Sequence, residues 1–293
     1  MHGQQAGTEQ GEAVLAQALA AYQAALGRRL IAAYALGSLA HGGFSPLVSD
    51  VDLGLILRDP LWMKHRLAIR TVARAVRAGG SALQQRLSVF WGTPATLAGR
   101  ARGGRFPPLD RLDLLEYGRL LAGQDARYGV ARPGQEELLV AGAEFALGYL
   151  GETGNLPGRI RDRVGAGSHD RDTLDEIRHP ERLVSRGTRR MTKTVLFPVR
   201  FLFTAATGRV GTNALAAEHY LDSTDMPAGE LVAAALAWRL EPPADEAAAT
   251  ALLRRELIPL YAYYLDDHIA RLSAAGRPAL ADRFSRCRAR LLA

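Results

Sequence analysis

Apolar residues recur at helical spacing over residues 13–26, and Gly27 supplies a stop, which predicts a first helix. Residues 30–36, Leu-Ile-Ala-Ala-Tyr-Ala-Leu, read as a buried strand that runs directly into Gly37-Ser38. A Gly/Ser/Pro loop follows, and residues 51–57 then alternate with period two, as a strand does. Residues 62–76 form a basic amphipathic helical pattern ending at Gly79-Gly80. Residues 86–91 predict a further strand, and residues 99–108 a flexible, Arg-rich loop. The apolar stretch 112–122, closed by Gly123, fits helix or strand by periodicity alone. The first half therefore predicts an α+β fold with a small mixed sheet.

Beyond about residue 130 the pattern changes. Residues 136–150, 191–207, 212–220, 230–240 and 245–269 all carry helical periodicity, and no convincing strand follows. Residues 151–180, rich in Gly, Arg and Asp, read as loop with a short helix. We place a boundary within residues 129–134, giving an α+β domain over 1–130 and an all-α helical bundle domain over 131–293. No repeat or low-complexity tract interrupts either half.

Composition narrows the function classes without choosing one. The chain has 293 residues, 48% hydrophobic and 23% charged, which excludes a disordered, collagen-like or disulfide-scaffold chain. Lys and Arg total 37 against 30 acidic residues, a net charge of +7 that permits an anionic partner. All but Lys64 and Lys193 of these cations are Arg, a skew in keeping with a GC-rich coding sequence. Cys287 stands alone, so an internal disulfide and a thiolate metal site are both excluded, and a reducing cytoplasm is the simplest expectation. The polar start of the sequence lacks the pattern of a secretory leader. The most apolar tract, 195–206, is broken by Pro198 and Arg200 and is too short to span a bilayer, so no membrane partner is expected.

The chemistry concentrates between Tyr34 and Leu57. A strand delivers Gly37-Ser38 to a turn, where glycine permits close backbone approach and serine adds a hydroxyl beside exposed N–H groups. Such a turn favours an anion such as phosphate. Eleven residues separate Ser38 from Asp50, and Asp52 follows two places later at the head of the next strand. Residues i and i+2 of a strand share a face, so the two carboxylates converge. Converging carboxylates repel unless a cation lies between them, and Mg²⁺, which takes oxygen ligands and bridges to phosphates, suits that position.

The order Gly-Ser, loop, Ser-Asp-x-Asp and hydrophobic strand resembles the nucleotidyltransferase (polymerase β-like) superfamily. The stretch 199–220, with its Arg-bearing helix, Thr-Gly turn and Ala-Ala helix, is similar to the C-terminal helical domain of streptomycin/spectinomycin-type aminoglycoside adenylyltransferases. Residues 112–123 look like their segment after the third sheet strand. The resemblance covers roughly residues 30–225. It implies that Gly37, Ser38 and Ser49 hold a nucleoside triphosphate, ATP first among them, and that Asp50 and Asp52 hold Mg²⁺. It also implies that the helical domain closes the cleft and binds a small-molecule acceptor. The expected reaction is transfer of AMP to an acceptor hydroxyl, an aminoglycoside-like one being the first guess. The net positive charge weighs against a cationic acceptor and leaves an anionic metabolite or a protein side chain open.

Three departures from that pattern stand out. The relatives carry a third carboxylate on the next core strand, whereas residues 86–91 contain none. Asp113 is our choice to replace it, ahead of Asp110 and Glu116. Asn213 stands where the relatives place a nucleotide-contacting Lys, and the loop before Asp50 is one residue longer. The first two departures keep open an alternative from another class, a degenerate nucleotide-binding or regulatory protein without turnover. A nucleic-acid-directed transferase ranks last, since no RNA-binding element accompanies the head.

Other candidates have plainer readings. His41 reads as a solvated loop histidine rather than a phosphate contact. His169, Asp170, Asp172 and Asp175 read as a solvated loop rather than a metal site. Arg200, mid-helix on an apolar face, predicts a structural ion pair. Lys193 is a weak triphosphate candidate. Arg100, Arg102 and Arg105, near Phe106, read as a lid or simple surface, and Tyr261, Tyr263 and Tyr264 as helix packing.

Overall fold

The structure, a computed structural model, describes residues 2–152 and 173–293. The chain divides into two compact units, Met1–Pro133 and Gly134–Ala293.

The first unit is built on four strands, β1 (Leu30–Leu36), β2 (Val51–Leu57), β3 (Leu87–Gly92) and β4 (Arg119–Gly123). They lie in the order β3-β2-β1-β4. β1 pairs antiparallel with β2 and β4, and β2 parallel with β3, so the sheet is mixed. Alternation divides β2 cleanly. Val51, Leu53, Leu55 and Leu57 face a core shared with Leu87 and Val89 of β3. Helices α1 (His2–Leu26) and α3 (Met63–Arg77) complete that core through Val14, Leu15, Tyr22, Ile69, Ala73 and Val76. The Tyr22 hydroxyl donates to the Ile69 carbonyl at 3.1 Å and ties the two helices together.

The opposite face collects Tyr34 and Leu36 of β1 and Ile56 of β2, covered by Leu97 and Leu114. Leu114 belongs to α6 (Pro108–Tyr117), which packs on β1 and on α2 (Gly37–His41). Two short helices, α4 (Ala82–Gln85) and α5 (Pro94–Leu97), flank β3. The stretch 112–122 holds two elements, the end of α6 and the edge strand β4, which turn at Gly118. β4 is half-buried or exposed along its whole length, so no alternation betrays it.

The second unit shows helices only among the described residues. They are α7 (Gln135–Tyr149), α8 (Thr173–Arg178), α9 (Pro180–Ser185), α10 (Thr188–Thr207), α11 (Asn213–Leu221), α12 (Gly229–Trp238), α13 (Glu246–Ala274) and α14 (Pro278–Leu292). α14 folds back along α13 after a three-residue turn. Leu147, Val195, Leu257, Tyr261, Tyr264 and Phe284 are among the fully buried residues of this unit. Tyr261 and Tyr264 pack as the periodicity predicts. No described helix is long and apolar enough to cross a membrane.

Two polar expectations change here. Arg200 is exposed, and its Nε donates to the Gly211 carbonyl at 2.6 Å. Arg190 of α10 is half-buried; it holds the 5%-exposed Glu176 at 2.5 Å and donates to Tyr149 and Thr173. His169, Asp170 and Asp172 lie outside the described residues, while Asp175 pairs with Arg182 and His179.

Candidate functional site

β1 ends at Leu36, and the chain turns at once through Gly37, which adopts φ +59° and opens α2. Two constraints require glycine there. Positive φ is costly for any other residue, and a Cβ at Gly37 would lie 2.4 Å from Oδ2 of Asp52. That closeness follows from register, because Leu36 pairs with Asp52 across the β1/β2 ladder. Asp52 is the half-buried member of an otherwise buried strand. Asp50 precedes the strand and is also half-buried, so both carboxylates belong to the water-accessible end of β2.

A third carboxylate reaches the same turn from another direction. Oδ2 of Asp113 accepts the main-chain N–H of Gly37 at 2.7 Å. Buried Leu112 and Leu114 fix the α6 face that bears it, and Gly118 N–H closes the helix onto the Asp113 and Leu114 carbonyls. One turn beyond β4, the Tyr34 hydroxyl donates to Asp125 at 2.9 Å and accepts the Ala126 N–H at 2.7 Å. Arg127 grips Asp125 and also donates to the Gly118 carbonyl. Those Arg127 bonds hold the Asp125 carboxyl well below the usual carboxylate range. Burial pushes the Tyr34 phenol up to about 12, so it stays a donor at ordinary pH.

Ser38 is half-buried in the first turn of α2, beside Gly37. Ser49 is 6% exposed, and its Oγ accepts the Ser45 N–H at 3.0 Å, so it shapes the loop before Asp50. Arg86 braces that loop through the Pro46 and Leu47 carbonyls. Beside Asp52 on β3 the register places Ser88, so the sheet itself supplies no third acid. His41 packs edge-on against Tyr117 of α6, centroids 5.5 Å apart, a pairing no sequence signal announced. Arg105 is held to β3 by paired main-chain bonds with Trp91, and Phe106 packs over Gly54. Arg100 and Arg102 are exposed.

Among the described residues, no group of three or more His, Cys, Asp or Glu side chains is disposed to hold a metal ion. Mg²⁺ asks for less: one or two carboxylates suffice when waters and phosphate oxygens complete its shell. The hard oxygen donors at the head of β2 fit that requirement.

No protein-family model and no curated protein matches the sequence. Among solved structures, the chain is similar to spectinomycin adenyltransferase AAD(9) from Enterococcus faecialis, crystallised with ATP and spectinomycin. The identity is 14%, the match covers 84% of this chain and 98% of that one, and the TM-score is 0.48.

Proposed function

We propose that the chain is a Mg²⁺-dependent nucleotidyltransferase that moves AMP from ATP to a hydroxyl of a small-molecule acceptor. The observation that supports this reading is the meeting of Asp52 and Asp113 at the Gly37 turn, two carboxylates delivered by separate elements.

Asp50 and Asp52 would hold the ion, which when bound supplies charge neutralisation at the triphosphate. Ser38 and the main-chain amides after Gly37 bind phosphate oxygens. The Gly37 amide is already committed to Asp113, so phosphate contact falls to its neighbours. Asp113 takes the proton of the acceptor hydroxyl as that oxygen bonds to the α-phosphorus. The bond from the α-phosphorus to the bridging oxygen breaks, and pyrophosphate carries away the electron pair.

A second reading, nucleotide binding without turnover, rests on Ser88, which stands next to Asp52 where the strand offers a carboxylate position. Calorimetry separates the readings in stages. Non-hydrolysable ATP, CTP, GTP and UTP analogues are titrated with Mg²⁺ into wild type and Asp50→Asn/Asp52→Asn. Metal-dependent binding of one nucleotide, lost in the double variant, supports the site. Metal-independent binding, or none, overturns it. Pyrophosphate release with a panel of hydroxylated acceptors then distinguishes turnover from binding alone.

A further inference from the structure

The positive charge of the chain is concentrated. Residues 53–109 contain ten Lys and Arg and a single acid, Asp59, leaving 27 basic against 29 acidic residues elsewhere. Five of the ten, Lys64, Arg66, Arg70, Arg74 and Arg77, lie on α3, which has no acidic residue. Its inner face, Ile69, Ala73 and Val76, is buried. Its outer side opens with Trp62, Met63 and Leu67, which are 58%, 74% and 63% exposed. Met63, Leu67, Arg70 and Arg74 follow one another at helical spacing, so the apolar group continues into cations along one stripe. The other exposed large apolar side chains of the described residues occur singly along the sequence, which is ordinary for a surface.

Hydrogen bonds tie this corner to the neighbouring backbone. Arg29 donates to the Arg58 and Pro60 carbonyls, and Arg58 Nε to the Arg28 carbonyl at 3.0 Å. His65 Nδ1 accepts the Trp62 N–H at 3.2 Å and fixes the start of the helix. Arg58, Asp59, Pro60, Trp62, Met63 and Lys64 are all exposed, so the apolar side chains project from a surface corner. It is also remote from the carboxylates. α3 covers the sheet face opposite Asp52, and its start lies beyond the far end of β2, about 17 Å of strand away.

Against the expectation of no membrane partner, which rested on the lack of a bilayer-spanning tract, we propose that this stripe of α3 is a peripheral docking surface for an anionic lipid bilayer. Trp62, Met63 and Leu67 enter the boundary between headgroups and acyl chains, and the exposed Lys64, Arg70 and Arg74 meet lipid phosphates. Reversible attachment needs both an apolar and a cationic contribution, and this corner supplies both. A single-stranded nucleic acid would use the same cations but stacks successive bases on several aromatic faces, whereas Trp62 stands here with the aliphatic Met63 and Leu67.

Co-sedimentation of the full chain with phosphatidylcholine vesicles, with and without phosphatidylglycerol, tests the proposal. Binding is expected only to the anionic vesicles and weakens with salt. Trp62→Ser/Met63→Ser/Leu67→Ser lowers affinity at least tenfold, and Arg70→Gln or Arg74→Gln each lowers it roughly fivefold. Tyr128→Ser, at an exposed aromatic outside the stripe, leaves binding unchanged. All these side chains are exposed, and a thermal melt of each variant verifies folding. Absence of binding to anionic vesicles, or equal binding by the variants, overturns the proposal. So does a wild-type dimer that the triple variant loses, which assigns the face to a second copy, or retention on single-stranded RNA without vesicle binding.

Discussion

The main-chain N–H of Gly37 donates to Oδ2 of Asp113 at 2.7 Å, across 76 residues of sequence. The same glycine leaves no room for a Cβ beside Asp52. Gly37 is thus the point at which β1, β2 and α6 agree on one geometry. Substitutions there separate what the carboxylates hold in place from what they do.

Asparagine at position 113 keeps an oxygen able to accept the Gly37 amide and removes the charge. Asp113→Asn is expected to lower nucleotidyl transfer by about 10²–10⁴-fold, the usual contribution of a positioned general base, with little change in melting temperature. Asp113→Ala loses the acceptor as well, and is expected to cost a further 1–3 kcal/mol of stability, measured by urea unfolding. Full turnover in Asp113→Asn would reduce the carboxylate to a positioning role.

Gly37→Ala should be disproportionately damaging for one methyl group. Left-handed backbone costs alanine about 1 kcal/mol, and the new Cβ must also displace the Asp52 carboxylate. The expected outcome is about 1–3 kcal/mol of destabilisation with loss of metal-dependent nucleotide binding. Urea unfolding and calorimetry on one preparation check both parts.

Much of the candidate site is legible in the sequence, for physical reasons that differ by residue. Gly37-Ser38 and Asp50/Asp52 could be found because each adjoins a short, strongly apolar strand whose period is unambiguous. Asp113 is less legible, since its approach to Gly37 depends on how α6 lies over β1. β4 stayed hidden because an exposed edge strand needs no alternation. Arg200 is exposed rather than buried on the apolar face of α10, because it projects to the side where the Gly211 carbonyl is available. The Tyr34–Asp125–Arg127 clamp left no trace, since three residue types common on surfaces carry no pattern until the fold joins them.

That clamp predicts a pH dependence. Because Arg127 depresses the folded-state pKa of Asp125, its stabilisation is present above the ordinary aspartate pKa of about 3.9 and fades as pH falls toward the lower folded value. Asp125 is 44% exposed, so solvent screening limits the ion-pair contribution to about 1 kcal/mol. Asp125→Asn should therefore be less stable at neutral pH and show a flatter stability profile below pH ~4. Tyr34→Phe, which leaves the Ala126 N–H without its acceptor, should cost about 1–3 kcal/mol at every pH. Urea unfolding across pH 3–7 would reveal whether the slope follows Asp125.

Cys287 offers a probe of the helical unit. It lies on α14 and is 0% exposed, and burial pushes its thiol up to about 12. The thiolate is the nucleophile, so the folded protein should react with an aromatic disulfide reagent at pH 8 at least 10²-fold more slowly than the urea-unfolded chain. Glu176 provides the matching perturbation, because it is 5% exposed and holds both Arg186 and Arg190. Glu176→Gln leaves those guanidiniums without their carboxylate, and with Arg186 exposed and Arg190 half-buried the expected cost is about 1–3 kcal/mol. It should raise the Cys287 labelling rate in proportion to the population that opens. Unchanged labelling despite a lowered melting temperature would mean that α14 opens independently of the Glu176 network.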